Sequence, residues 1–427
     1  MRTFGAIACV LVLLPATAAA QTSLQIPLQF DFLNPGAKSL ALAGAFAGLA
    51  DDATATFANP AGLLQLGSSE VSIELRGTHT NTQFLAAGRL SGTVTNEGTD
   101  TIQGPFFGDT TGSHTGVGFL AGVYSHPSRQ WVIAGYRHEL ARVDQTYLSN
   151  GVFQVDPVTH VSFRERPQEG VREVSITGYG IAGAYKIGPL FSIGGAMTAY
   201  TFDMNSVFRR FSTDGFFGPP LLNQELSRAT QTGDDVSWAP TVGVTIGRAS
   251  TRFGVVYRRG ASFDFTTVEA NNPVRTSVFR VPDTLAFGGS FRPKPPLLAA
   301  FEVTYIRYSR LREDFVTDQA LSVGFPDNFT IDDGVEVHGG IQYAVTRWPL
   351  IPRFRGGVWF DPDHSVHFTP TGDPSFDERM STALSTGKNQ VHGTGGIGLT
   401  FGSHFELNAG FDISSTTKIF STSLILR

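Results

Sequence analysis

The sequence predicts an all-β protein, a 14-stranded antiparallel transmembrane β-barrel with an N-terminal plug in its lumen. Three observations carry that expectation. Segments of about ten residues or more alternate apolar and polar side chains, the period of a half-buried strand. The connections between them alternate between very short and long, as the tight periplasmic turns and longer external loops of an outer-membrane barrel require. Ahead of the first strand lies a Gly/Ala-rich stretch, Asn34 to Leu66, whose core from Leu40 to Ala50 carries no charge but is shorter than the ~20 residues a helix needs to cross a bilayer.

Residues 1–20 read as a secretory signal peptide: one charge at Arg2, an apolar run broken by Pro15, and small residues at Ala18-Ala19-Ala20 before Gln21. The only cysteine, Cys9, lies in that run, so the mature chain is expected to form no disulfide and to use no thiol. Loss of Arg2 leaves 31 basic against 37 acidic side chains, a charge of −6, which argues against nucleic acid as partner. The 48 glycines and 35 phenylalanines suit a barrel, whose strands need aromatic groups toward lipid and small residues at bends.

Residues 21–68 are expected to form the plug. Within it Asn59 is placed to cap the helical turn that begins at Pro60 and Ala61, since Asn accepts from free backbone N–H groups and Pro suits the first helical position. Asp51 and Asp52 are expected to cap the turn before it.

Residues 69–427 are expected to form the barrel. The alternation is clearest in His404 to Ile413, where Phe405, Leu407, Ala409, Phe411 and Ile413 oppose His404, Glu406, Asn408, Gly410 and Asp412. The same pattern places strands over Ser69–Thr78, His114–Ser125, Arg129–Tyr147, Arg172–Ile187, Leu190–Phe211, Val236–Gly247 and Thr251–Val268. It continues over Val281–Phe291, Leu298–Leu311, Gly334–Thr346, Pro352–Phe360, Gln390–Phe401, His404–Ser414 and Lys418–Arg427. An even count puts both ends on the periplasmic side. Short turns such as His126-Pro127-Ser128 and Gly188-Pro189 then alternate with long loops, among them Asn81–Ser113, Ser212–Asp235 and Asp361–Asn389. Glu70, Glu74, Arg76, Glu302, Glu336, Arg353, Arg355 and Glu406 fall on the polar face and should line the lumen, because lipid-facing charge costs about 2–4 kcal/mol at mid-depth.

In the third strand the alternation is clean through Tyr136 and falters at Arg137-His138-Glu139, just after Gly135. Gly135 is therefore the expected position of a bulge or kink. No external loop is conspicuously rich in apolar residues; Phe106 and Phe107, with Phe216, Phe217, Leu221 and Leu222, are the main apolar groups in them. No catalytic site is expected. Ser113-His114 and Ser403-His404 are neighbours on one strand and point to opposite faces, and no Gly-x-Ser-x-Gly elbow occurs. Asp361, Asp363, His364 and His367 could meet a divalent ion in an external loop, but no metal site and no cofactor is expected.

The plug segment GAKSLALAGAFAGLADDATATFANPAGL, the paired strands of Val281–Leu311 around a Pro-rich turn, and the closing run Val391–Ile413 resemble the FadL-type family of outer-membrane transporters for long-chain fatty acids and other hydrophobic compounds. The resemblance covers essentially the whole mature chain. It marks Asn59-Pro60-Ala61 as a hatch motif. It implies capture of a hydrophobic small molecule outside, with Phe106, Phe107, Phe216, Phe217, Leu221 and Leu222 as candidates, passage to a pocket in the barrel, and hatch-gated release through a lateral opening beside the kinked third strand, expected at Gly135. The implied partners are that ligand, outer-membrane lipid and lipopolysaccharide, and the barrel-assembly machinery, around a monomer. The alternative is a non-transporting relative, like the shuttle proteins of the type IX secretion system, that binds protein cargo; the plug wording is at least as close to that branch. One departure from the family pattern is the non-aromatic ending Ser423-Leu424-Ile425-Leu426-Arg427.

Overall fold

The alternating segments pair edge to edge into one closed antiparallel sheet. The computed structural model describes residues 32–269, 274–313, 326–347, 350–402 and 404–427; the expected signal peptide, residues 1–20, and the start of the expected plug, residues 21–31, lie outside them. The strands are β1 (Glu70–Gly88), β2 (Pro105–Ser125), β3 (Trp131–Ser149), β4 (Gln168–Ile187), β5 (Phe191–Thr213) and β6 (Pro220–Arg248). Two strands follow that are each broken once, β7 (Thr251–Arg258 and Ser262–Glu269) and β8 (Arg275–Arg280 and Thr284–Lys294). The rest are β9 (Leu297–Ile306), β10 (Gly334–Ala344), β11 (Ile351–Asp361), β12 (Gln390–Phe401), β13 (Phe405–Ile413) and β14 (Thr417–Leu426). Counting each broken strand once, the sixteen segments of the sheet make fourteen strands, and β1 against β14 closes the barrel.

Several strands run far beyond their expected ends. β1 continues to Gly88, β2 starts at Pro105, and β6 starts at Pro220 and is 29 residues long, about 95 Å at ~3.3 Å per residue. A tilted membrane strand needs only about 9–11 residues. Much of Asn81–Ser113 and Ser212–Asp235, expected as loop, is therefore sheet projecting above the membrane. The side chains say where the membrane lies: outward-facing Ile133, Ile181, Met197, Val242, Phe253, Phe301 and Ile341 are exposed near the short turns. Farther up the same strands the outward positions are Asp144, Glu173, Asp203, Asn205 and Asp234. With both faces polar there, the hydrophobic period vanishes although the ladder continues.

The core is the lumen. Leu33 to Leu66 are buried except for half-buried Asp51, Leu64 and Gln65. This stretch holds two short helices, α1 (Ala37–Ala41) and α2 (Ala55–Ala58), and a 3₁₀ turn over Pro60–Gln65. No helix among the described residues is long and apolar enough to cross a membrane. Of the charges expected on the lumen side, Glu70, Glu74, Glu302, Glu336, Arg355 and Glu406 are all buried. A third helix, α3 (Pro374–Ala383), lies in the long connection between β11 and β12 with Asp373 as its N-cap.

Candidate functional site

Lumen-facing glycines let the plug backbone touch the wall. A Cβ at Gly254 would fall 2.1 Å from the Ala47 carbonyl oxygen, one at Gly340 2.5 Å from that of Leu42, and one at Gly194 2.3 Å from the Ala61 nitrogen. Wall side chains then satisfy the plug's backbone groups, which water cannot reach. Glu302 accepts from the Phe46 and Ala47 N–H groups at 2.8 and 2.6 Å, Glu74 from Gly36 at 2.9 Å and Glu70 from Ala53 at 2.7 Å. Arg258 donates to the Phe57 and Ala58 carbonyls at 2.9 and 2.7 Å, closing the end of α2, and His338 Nδ1 lies 2.8 Å from the Ala43 carbonyl.

Asn59, Pro60 and Ala61 sit inside this interface. Asn59 Oδ1 accepts from the Ala61 N–H at 3.2 Å with Pro60 at the first helical position, the cap geometry read from the sequence. Its Nδ2 also donates to the carbonyls of Ala47 (2.8 Å) and Val244 on β6 (3.2 Å), tying plug to wall. Asp52 Oδ1 accepts from Thr54 N–H at 3.0 Å, two residues on, but the position before α2 is Thr54 and no side chain caps that helix. Asp51 caps nothing. Its carboxylate pairs with Lys38 at 2.6 Å and Arg292 at 3.1 Å; burial pushes its pKa up, but the two cations outweigh burial and hold it at about 2.

The wall is interrupted beside the plug. β2 and β3 pair only from Phe119↔His138 down to Ser125↔Val132. Above His138 a register shift between Glu139 and Ala141 on the β4 side bulges Leu140, and β3 leaves the edge of β2. A Cβ at Gly112 would come within 2.7 Å of the Asp144 carbonyl oxygen, and Gln145 reaches Thr82 on β1 at 3.1 Å. The upper half of β3 therefore leans across the inner face of β2. Across the gap His114 Nε2 meets Glu139 Oε1 at 3.2 Å, and Arg137 donates to the Val117 carbonyl. Phe57 of α2 lies against His138 with ring centroids 4.3 Å apart. Gly135 is not at the break: it pairs with Gly122 and Ile181 in an unbroken ladder and faces outward. The faltering at 137–139 marks the bulge itself.

Leu140 points into an apolar cluster between plug and external rim. Phe202 stacks on Phe263 and Phe279 at 4.9 and 5.4 Å, with Ile176, Met204 and Tyr308 around them. A small cavity of about 20 Å³ lies at its base, bordered by Phe57, Leu140, Tyr200, Arg258, Gly260 and Ala261. The opposite arc of the lumen is polar: Trp359 Nε1 donates to Asp412 at 2.7 Å, and His392 meets the other oxygen of that carboxylate at 2.7 Å.

Outside, the connections form a cap around Phe153, which the sequence reading missed. Phe216 and Phe217 pack on it at 5.7 and 5.8 Å, and Arg89 and Arg164 lie over its ring. Phe107 belongs to a separate cluster with Leu85, Val152 and Ala383. Phe106 and Leu222 are exposed and Leu221 half-buried, the first on β2 and the leucines on β6. The structure therefore does not gather the six capture candidates at one place: Phe216 and Phe217 pack on Phe153, Phe107 lies in a second cluster, and Phe106, Leu221 and Leu222 belong to neither. Asp361 pairs with His364 at 3.3 Å, and no group of three or more His, Cys, Asp or Glu among the described residues is arranged to hold a metal.

No family model and no curated protein matches the sequence. Solved structures do. A Pseudomonas aeruginosa FadL homologue superposes with a TM-score of 0.61 at 11% identity, over 92% of this chain and 99% of that one. The Ralstonia pickettii toluene transporter TbuX gives 0.55 at 15% identity and the Pseudomonas putida toluene transporter TodX 0.55 at 12%, each over 93% of this chain and 99% of the other. At such identities the likeness is one of architecture: this chain has the fold of FadL-type outer-membrane transporters.

Proposed function

We propose that the protein is an outer-membrane channel for hydrophobic small molecules. The ligand passes the external cap, enters the apolar cluster around Phe202 and Phe263, and leaves sideways between β2 and β3 while the plug keeps the axial route closed. The observation that carries this reading is the end of the β2–β3 ladder at Phe119 and His138, next to Leu140 of the apolar cluster. An unpaired wall at membrane depth leaves backbone groups without partners unless protein or a cavity lies behind it. The structural neighbours, a FadL homologue and two toluene transporters, support the same class of ligand. A solute moving along this track gains about 0.8 kcal/mol for each buried CH₂ group, which a polar pore would not provide.

The test is uptake of radiolabelled palmitate and, separately, of toluene by cells with and without the protein, together with a native mass spectrum of the detergent-extracted barrel. Accelerated uptake of either probe, or a copurified apolar molecule, supports the channel. Uptake equal to that of cells lacking the protein, with a secreted protein copurifying instead, would replace it with the cargo-binding alternative.

A further inference from the structure

The wall is interrupted a second time, on the other side of the apolar cluster. β6 and β7 pair over Thr241–Arg248 against Thr251–Arg258 and again over Ala229–Thr232 against Thr266–Glu269. Between these blocks Gly233–Pro240 form no register pairs with β7, which is itself broken at Arg259–Ala261. Side chains stand in for the missing ladder: Asp235 Oδ2 accepts from the Asp264 N–H at 2.8 Å, and Ser237 Oγ from the Ser262 N–H at 3.4 Å. Pro240 has no N–H to offer, although its carbonyl accepts from Arg259 at 3.1 Å. A side chain inserted between two strands holds them farther apart than a direct N–H···O bond does.

This break matches the first in height and in what lies behind it. The β2–β3 ladder stops seven residues above the start of β3 at Trp131, and the lower β6–β7 ladder stops seven residues above the end of β6 at Arg248. Behind it are Ala239, Ala261 and Phe263 of the same apolar cluster. The small cavity touches both breaks, Leu140 at one and Arg259 to Ala261 at the other. On the lipid side Trp238 is 65% exposed, at the depth where an indole marks the membrane interface.

Both breaks also overlook one outer groove. Its volume is about 1170 Å³, and it extends from Gly122 and Gly135, below the first break, past Gly183 and Gly195 to Pro240 and Val242 below the second. A Cβ at Gly122 or Gly135 would meet nothing within 4 Å, and at Gly183 or Gly195 only a carbonyl oxygen at 3.5 Å. None of the four has a positive φ. Backbone geometry therefore does not require these glycines, each of which weakens its strand by about 0.5–1 kcal/mol relative to Ala. Glycine in a strand also marks places where another molecule comes close to the backbone.

We propose that the barrel has a second lateral window, between β6 and β7, through which the apolar ligand also reaches the membrane. The inference rests on the transport reading above. Cys9 is the sequence's one cysteine and lies in the expected signal peptide, so engineered pairs in the barrel react cleanly. One pair, His114→Cys with Glu139→Cys, spans the first gap; a second, Ser237→Cys with Ser262→Cys, spans the new one. Each is bridged in intact cells with a short bifunctional thiol reagent, and uptake of palmitate and toluene is followed. Sealing the first gap should lower uptake by about half, and sealing both should reduce it to the level of cells without the protein. Complete loss on sealing the first gap, with no change on sealing the second, overturns the proposal. Should the wild-type protein carry neither probe, the transport reading fails, and hydrogen exchange in the full-length barrel judges the window separately. The alternate amides of Gly233–Ala239 that face β7 should exchange at least tenfold faster than those of Thr241–Arg248. Equal protection means the two strands are closed there and removes the window as well.

Discussion

Replacing Glu302 with Gln should loosen the plug without unfolding the barrel. One carboxylate oxygen of Glu302 accepts from both Phe46 and Ala47, while Thr304 Oγ donates to the other at 3.2 Å. Glutamine keeps the shape and an acceptor oxygen, and its amide group can donate to the Thr304 hydroxyl, so the main loss is charge. Hydrogen bonds to a charged group contribute about 1.5–3 kcal/mol and neutral ones about 0.5–1.5. Two bonds therefore lose roughly 2–3 kcal/mol together, which raises the open population of this part of the plug about 30- to 150-fold. Amide hydrogen exchange reads that ratio at Phe46 and Ala47, where protection should fall by that factor while the β9–β10 ladder, Leu297↔Tyr343 to Ile306↔Gly334, is unaffected. Unchanged protection at the two amides would refute the reasoning that wall carboxylates hold the plug.

Asp51 should titrate near pH 2 in a carboxyl NMR experiment, against an ordinary value of about 3.9. A depressed carboxylate contributes stability that is present above its unfolded pKa and lost as pH falls through the folded one. Its share, about 2 kcal/mol, should thus disappear between about pH 4 and pH 2, and Lys38→Met should move the titration upward; titration at the ordinary value in the wild type would mean that the Lys38–Asp51–Arg292 group does not form. Arg427 bridges Glu70 and Glu406 at 2.9 Å each across the closing seam of the barrel. Arg427→Ala leaves both buried carboxylates without that cation, at a cost of about 3–5 kcal/mol. It should lower the temperature at which the barrel loses its compact, fast-migrating form on a detergent gel; an unchanged temperature would assign closure to the β1–β14 ladder alone.

The strand order and the alternation of short and long connections were legible because lipid on one side and plug on the other impose a strict two-residue period. Phe405 to Ile413 shows it best: the outward side chains are apolar, and Glu406, Asn408 and Asp412 are buried inside. Above the membrane water replaces lipid, the outward face becomes polar, and stretches such as Ser227-Arg228 and Thr230-Gln231-Thr232 read as loop although they pair with β5 or β7. Asn59 was readable as a cap because its partner Ala61 is two residues away. Its bond to Val244 spans 185 residues and leaves no local trace. The third-strand irregularity was visible in sequence as a lost period, but attributing it to Gly135 confused an outward glycine with the bulge at Leu140. The break in β6–β7 was hidden, since Asp235 and Ser237 act there through partners on another strand. The Phe153 cap was hidden in the same way, because Arg89, Phe216 and Phe217 come from distant loops.

The central claim is that an apolar ligand leaves through the wall above the plug rather than through the plug to the periplasm. Photolabelling with a diazirine-bearing palmitate in the membrane-embedded barrel, followed by peptide mapping, tests it most directly. Label is expected at Leu140 and Phe202 in the lumen and at membrane-facing residues beside the gap, with none on Leu64 and Gln65 at the half-buried end of the plug. Label concentrated on Leu64 and Gln65, and absent from Leu140, would contradict it.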